Sequence, residues 1–375
     1  MDGALSSKNM KIAIDLRALL HGRASGISTY VRELTREMIK HKEHEFVLFL
    51  SGRKDEYLDI LDRFERENVK KFFLKTPNRL FNLKQIFFGM PKVDVLIKKR
   101  LKIQVDVFFM PDMRPLVLSK RCKKVCTCHD LSFFRFPECF SRKSRFWYFL
   151  NKPKKYFQSA DKVIAVSKFT QSELKEVIGV DSQVVYEGAR LESGGDLVAA
   201  KDKYGLPGRF LLSLSTLEPR KNLERVVKAF SWAKLHGMEL VLAGEADRRV
   251  FAKLHVPELD KVRFIGFVDE QDKEALYKLS EGFLYVSSYE GFGLPVLEAF
   301  RCGVPVLTSE GSSMQEICDE NAVYANPNSV GSIAEGIKVL TSKKWDSQKL
   351  KERASRFSWE KAAKETLSVL YSVIG

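Results

Sequence analysis

The sequence predicts an α/β protein of two domains, each built on a parallel sheet doubly wound with helices. Three observations carry this. At 375 residues the chain is too long for one ordinary core. Short, branched, apolar runs recur at 11–16, 45–50, 69–74, 105–110, 123–128 and 161–168, with helical stretches between them, as parallel strands require. A second series, at 209–215, 240–245, 262–268, 282–287 and 303–308, follows a polar stretch containing Gly194-Gly195. The expected division is a first domain at 1–190, a linker at 191–208, a second domain at 209–357 and a terminal helix at 358–375.

Composition narrows the class. Hydrophobic content of 45% with 30% charged residues is that of a soluble globular protein. No run approaches the roughly 18 apolar residues of a spanning helix. Residues 1–10 are polar and lack the apolar core of a secretory signal, so the expected location is cytoplasmic. The net charge of +15 is uneven: residues 1–190 carry 38 Lys and Arg against 22 Asp and Glu, whereas 191–375 carry 25 against 26. The basic half suits an anionic membrane surface or another polyanion, or serves solubility alone. The six cysteines read as free thiols. Cys122, Cys126, Cys128 and His129 cluster, but two of them lie in a strand-like run and no second ligand pair follows. Core packing is therefore preferred to zinc.

The first strand, 11–16, leads into His21-Gly-Arg-Ala-Ser-Gly-Ile-Ser-Thr-Tyr30 and a helix through Ile39. A small-residue loop opening a helix cradles an anion, or is an ordinary turn. Its glycines do not match the dinucleotide fingerprint, which argues against NAD. The strand 123–128 carries His129-Asp130 at its C-terminal end, where ligands gather in open parallel sheets; the bland reading is a structural His beside a capping Asp. Basic and aromatic residues interleave over 142–157, with further charge at 98–102 and 120–124. That pattern fits a lipid headgroup surface, single-stranded nucleic acid, or a helix with its aromatic face in the core. No nucleic-acid module is recognisable. A cap at Ser167 or Thr170 opens the next helix, and residues 184–188 end the domain.

In the second half, strand 209–215 runs into Thr216-Leu-Glu-Pro-Arg-Lys-Asn222 and a helix from Leu223. Asn222 suits an N-cap, and Arg220 and Lys221 place two cations just before a helix N-terminus. Cations are unfavourable there, so an anion should compensate, and a diphosphate would do so. Later comes Glu290-Gly-Phe-Gly-Leu-Pro-Val-Leu-Glu298: a strand, a glycine loop and a helix start holding Pro295, between two carboxylates. A ligand with phosphate in the middle and sugars at both ends fits such a segment.

This last stretch resembles the Glu-x7-Glu signature of the retaining family 4, group 1 glycosyltransferases of GT-B fold. Glu-Pro-Arg-Lys-Asn at 218–222 resembles that family's phosphate motif, His129-Asp130 with Phe136-Pro137-Glu138 its His-Asp motif, and Ser358-Trp-Glu its closing helix. Two Rossmann-like domains facing across a cleft are thereby implied, with the closing helix returning to the first domain. The implied ligands are a nucleotide-sugar donor, GDP-mannose or a UDP-sugar, and a glycan or lipid-linked acceptor. Implied roles are Glu290 toward the donor sugar, Glu298 toward the ribose, Arg220 and Lys221 toward the diphosphate, and His129 beside the sugar. Gly26 would approach phosphates or acceptor. Phe292, Gly293 and Leu294 would form the donor loop, and Gly244, Phe267 and Val268 the base pocket.

Two departures stand out. Ser215-Thr216 replace a frequent Gly-Arg, and Glu187-Gly188 with Arg190 replace Asn-Gly and a following Asp. The chain has no Asp-x-Asp triplet to clamp a catalytic cation, so transfer without metal or cofactor is expected. Retention and hexosyl transfer are what the resemblance implies, and the Ser-Thr-Leu-Glu-Pro-Arg-Lys-Asn form at 215–222, which resembles that of bacterial polysaccharide mannosyltransferases, favours mannose. The rivals are a non-catalytic nucleotide-sugar-binding or membrane-scaffold protein and a sugar phosphorylase or epimerase with similar domains.

Overall fold

The computed structural model describes residues 9–21, 25–52, 58–191, 195–216, 218–244 and 261–374. Expectations for the polar stretch at 1–8, the loop at 22–24, linker positions 192–194 and residues 217 and 245 fall outside the described residues. The chain forms two compact units. The first comprises residues up to Leu131, Phe140–Glu187 and from Trp359 onward; the second comprises Ser132–Cys139 and Gly188–Ser358.

The first unit holds seven strands: β1 (Lys11–Asp15), β2 (Glu45–Ser51), β3 (Val69–Leu74), β4 (Val107–Met110), β5 (Lys123–Cys128), β6 (Lys162–Ala165) and β7 (Gln183–Val184). Their spatial order is β3-β2-β1-β4-β5-β6-β7, and every pairing is parallel. Ile12, for instance, lies between Phe46 and Val107. Parallel sheets are covered on both faces and therefore read as continuous apolar runs; Phe-Val-Leu-Phe-Leu of β2 is buried throughout. The strand order reverses between β1 and β4. At that point Arg17 is wholly buried. Its guanidinium grips both oxygens of Asp15, donates to Asn82 Oδ1 at 2.8 Å, and lies over the Phe49 and Phe81 rings.

The helix Gly26–Met38 begins in a reciprocal cap: Ser28 N donates to Ser25 Oγ, and Ser25 N donates to Ser28 Oγ. Against it packs the helix Trp359–Ser372, with Tyr30 and Trp359 edge to face at 5.8 Å. The basic and aromatic segment divides in two. Helix Arg142–Asn151 buries none of its residues, whereas Pro153–Gln158 buries Tyr156 and Phe157. An aromatic face set in the core is thus confined to the second half, because Lys152 in left-handed backbone turns the chain between them.

The second unit holds β8 (Phe210–Leu214), β9 (Glu239–Ala243), β10 (Val262–Gly266), β11 (Gly282–Tyr285), β12 (Val306–Ser309) and β13 (Val323–Ala325), in the order β10-β9-β8-β11-β12-β13 and again all parallel. Leu211, Leu240, Leu284 and Leu307 of the sheet meet Val227, Ile333 and Ile337 of the covering helices in one core. Strand β12 starts at Val306 rather than 303, since Gly303 has φ +74 and Pro305 has no N–H to give a ladder. The three-residue β13 sits among polar neighbours and has no signal in the sequence. Among the described residues no helix is long and apolar enough to cross a membrane.

Removing one half of a buried ion pair leaves the other half uncompensated, at a cost of roughly 3–5 kcal/mol. Arg17→Met should therefore lower the unfolding free energy of the first unit by about that amount, seen as a lower denaturant midpoint. Combining it with Asp15→Leu should restore part of the loss, which a double-mutant cycle in urea measures.

Candidate active site

Strand order in the second unit reverses between β8 and β11: β9 and β10 continue on one side of β8, and β11, β12 and β13 on the other. In open parallel sheets the crevice outside the C-terminal ends of two such strands is where ligands bind. After β8 the chain makes a short 3-10 turn, Pro219–Lys221, opened by its proline, and the loop after β11 carries Glu290. The two segments are tied by a backbone bond from Ser288 N to Arg220 O at 2.9 Å.

Across that junction Glu290 is held by both cations. Lys221 Nζ donates to Glu290 Oε1 at 2.6 Å and to the Tyr285 hydroxyl at 2.9 Å. Arg220 donates to Glu290 Oε2 at 3.2 Å, to the Tyr289 carbonyl at 2.8 Å and to Glu218 Oε1 at 2.6 Å. The compensating anions beside Arg220 and Lys221 are thus carboxylates of the protein itself. Burial alone would raise the Glu290 carboxyl, but Lys221 and then Arg220 outweigh it and bring it down to about 2. Two cations and two carboxylates form a neutral cluster whose cations can exchange partners with an incoming phosphate.

The other residues of the Glu290 loop have structural duties. Ser313 Oγ donates to the carbonyls of Glu290 and Phe292, at 3.1 and 2.7 Å, and so pins the glycine loop. Gly293 has φ +118, and a Cβ there would lie 2.4 Å from Met314 Cε. Phe292 is buried edge-on against Phe357, and Leu294 begins the helix Leu294–Arg301. Pro295 lies in that first turn. Glu298, on the same helix, accepts from the Tyr277 hydroxyl at 2.9 Å. Tyr277, Phe283 and Tyr285 form an aromatic row linking the Glu298 end to the Lys221 end. Gly244 has φ +145 and abuts the Ser215 carbonyl, where a Cβ would sit 1.8 Å away. Phe267 is exposed and Val268 buried.

Asn222 occupies the N-cap position of the helix Leu223–Ala233, but its side chain makes no cap bond. Its backbone is left-handed, and Nδ2 instead donates to the Val286 and Pro327 carbonyls at 3.1 and 2.7 Å. The expected cap is replaced by a clamp between loops. Ser167, by contrast, caps its helix by accepting from Thr170 N.

In the first unit, Gly26 opens the helix Gly26–Met38 with ordinary backbone and open space where a Cβ would go. Four residues on, Tyr30 stands edge to face with His129 at 4.6 Å and bonds Thr127 through its hydroxyl. His129 Nε2 lies 2.8 Å from the Pro111 carbonyl, which only accepts, so Nε2 carries hydrogen. Nδ1 faces Glu187 Oε1 at 3.4 Å. Burial works to lower the His129 pKa, but Glu187 and the Pro111 carbonyl outweigh it and hold it above the usual value. Burial raises the Glu187 carboxyl, with His129 opposing. The position that departs from the family pattern is therefore the partner of the histidine. Both ring nitrogens are engaged, which suits a positioned group better than a proton acceptor. Among the described residues no group of three or more His, Cys, Asp or Glu is arranged to hold a metal ion.

Tyr277, Tyr285 and Ser313 are not legible as site residues in the sequence, and Glu187 stands out there only as a departure from the family pattern. The tyrosines look like core aromatics in apolar runs, and only a hydroxyl beside a buried charge distinguishes them.

Glu290 supplies a test with a sign. Its ordinary value is near 4.5 and its folded value about 2, so its stabilisation is fully present above the former and lost as pH falls through the latter. Glu290→Gln should cost about 3 kcal/mol at neutral pH, and denaturation of both proteins across pH should show that gap closing in acid.

Two family models match the chain: Glycosyltransferase Family 4 over residues 24–193 and Glycosyl transferases group 1 over residues 200–357. The serotype-specific mannosyltransferase WbdA of Escherichia coli is 31% identical over 263 residues, covering 64% of this chain and 32% of that protein. The chain thus spans about a third of the length of that relative. The O-antigen chain mannosyltransferase B of Escherichia coli is 29% identical over 266 residues, covering 66% of this chain and 69% of the relative. Among solved structures, a sucrose-phosphate synthase from Thermosynechococcus elongatus superposes with TM-score 0.73 at 18% identity, covering 97% of this chain and 99% of that one. Sequence and fold agree: the chain belongs to the group 1, family 4 type of glycosyltransferases with the GT-B fold.

Proposed function

We propose that the chain moves a hexose from a nucleotide-sugar donor to a glycan or lipid-linked acceptor. The observation that carries this is the Glu290, Arg220 and Lys221 cluster at the strand-order reversal of the second unit. In this reading Lys221 and Arg220 turn from carboxylate to diphosphate and stabilise the leaving nucleotide. Glu290 orients the donor-sugar hydroxyls, and Glu298 holds the ribose. Phe292, Gly293 and Leu294 offer loop and helix-start backbone to the phosphates, while Gly244, Phe267 and Val268 border the base. Gly26 and His129 complete the donor contacts from the first unit, which takes the acceptor side. Residues 191–208 act as the linker and 358–375 as a helix returning to the first domain.

Transfer proceeds with retention and without a metal. The acceptor oxygen bonds to the anomeric carbon on the face from which the phosphate leaves, and the acceptor proton passes to that phosphate. The preferred sugar is mannose, supported by the names of the two Escherichia coli relatives; the donor is GDP-mannose or a UDP-sugar. The reaction site is cytoplasmic, on the inner face of the membrane, where the basic first unit meets anionic lipid.

A thermal-shift panel of nucleotide sugars, with donor hydrolysis followed in parallel, identifies the donor. Lys221→Ala should abolish the donor-induced shift, and a variant that binds donor as well as wild type would remove the phosphate assignment. Turnover should persist in chelator. Gly26→Ala meets no neighbour and has no backbone strain, so it should leave the melting temperature unchanged while raising the donor or acceptor KM about tenfold or more.

A further inference from the structure

The helix Asn78–Phe88 of the first unit has its polarity reversed. Its buried face is Phe81, Asn82 and Gln85, and both amides are used by the fold. Asn82 accepts from Arg17; Gln85 donates to the Pro91 carbonyl at 2.9 Å and accepts from Val117 N at 2.6 Å. Its outer face carries Leu80, Leu83, Phe87 and Phe88. Phe87 is 61% exposed, Phe88 74%, and Met90 just beyond them 63%. A surface helix ordinarily turns such residues inward, and contiguous exposed apolar groups mark an interaction surface.

The exposed charge along this stretch is of one sign. Residues 78–102 contain seven Lys and Arg and a single acid, Asp94. Asp94 is buried and accepts from Ser119 N at 2.9 Å. The following helix, Val93–Leu101, adds exposed Val95, Lys98 and Lys99. Along 78–102 exposed apolar tips alternate with cations and the one carboxylate is buried, which matches an anionic bilayer, whose acyl boundary takes the former and whose headgroups take the latter. A second copy would set one basic face against another. An acidic protein would answer the cations but not the adjacent Phe87, Phe88 and Met90.

We propose that the outer face of Asn78–Phe88, with Met90, Val95, Lys98 and Lys99, docks the first unit on an anionic membrane interface. This deepens the membrane-side reading above by naming the docking surface, and it differs from the basic, aromatic segment at 142–157. The test is co-sedimentation of the full chain with vesicles of phosphatidylcholine, alone or with about a third phosphatidylglycerol. Wild type should partition at least ~10-fold more strongly to the anionic vesicles. Phe87→Ser with Phe88→Ser should remove ~10-fold or more of that binding, and Lys98→Gln with Lys99→Gln should weaken it and flatten its salt dependence. Phe146→Ser with Phe149→Ser should leave it within about twofold. Donor hydrolysis without vesicles should be unchanged in the Phe87 and Phe88 variant, so a failed donor assay in wild type would count against transfer and not against docking. Three results would overturn the proposal: no binding to anionic vesicles, loss of binding through Phe146 and Phe149 instead, or a concentration-dependent dimer that the Phe87 and Phe88 changes dissolve.

Discussion

A carboxylate buried between an ammonium and a guanidinium is the constraint on which the second unit's site depends. Two cations brought out of water need a counter-charge within contact distance, and Glu290 supplies it to both Lys221 and Arg220. Satisfying that need fixes the turn after β8 against the loop after β11. Tyr285, Ser313 and the Ser288 to Arg220 backbone bond then leave neither loop free to drift. In the proposed reading a ligand carrying two phosphates would meet cations already oriented, and its binding would exchange one set of anions for another.

The first unit uses the same chemical pair for a different end. Asp15 and Arg17 also lie where the strand order reverses, but there the guanidinium is wholly buried, bonded to Asp15, Asn82 and the Pro115 carbonyl and packed beside Phe49 and Phe81. Burial closes it to solvent. The ionisable group at the C-terminal end of this sheet is instead His129, which follows β5, with Glu187 behind it and Tyr30 beside it. One topology thus yields a structural clamp in one unit and an exchangeable cluster in the other.

The parallel strands are legible because a sheet covered on both faces demands apolar runs. Arg220, Lys221 and Glu290 are legible because their charges sit beside loops that open helices. Side-chain hydroxyls are not: Tyr277 and Tyr285 differ from core phenylalanine by one oxygen, whose value appears only when a buried carboxylate or lysine is found next to it. The position of Asn222 is readable and its bonding is not, since its left-handed backbone aims the amide at neighbouring loops. The helices Asn78–Phe88 and Arg142–Asn151 show the limit of reading burial from polarity, because both expose phenylalanines that a core would ordinarily claim.

The helix Trp359–Ser372 belongs to the first unit although the whole second unit precedes it in the chain. During synthesis the helix Gly26–Met38 therefore waits for its packing partner until about three hundred further residues have left the ribosome. The second unit, continuous from Gly188 to Ser358 apart from one short segment, has its own sheet complete before then. Order of manufacture and order of completion are reversed: the half begun first is the half finished last.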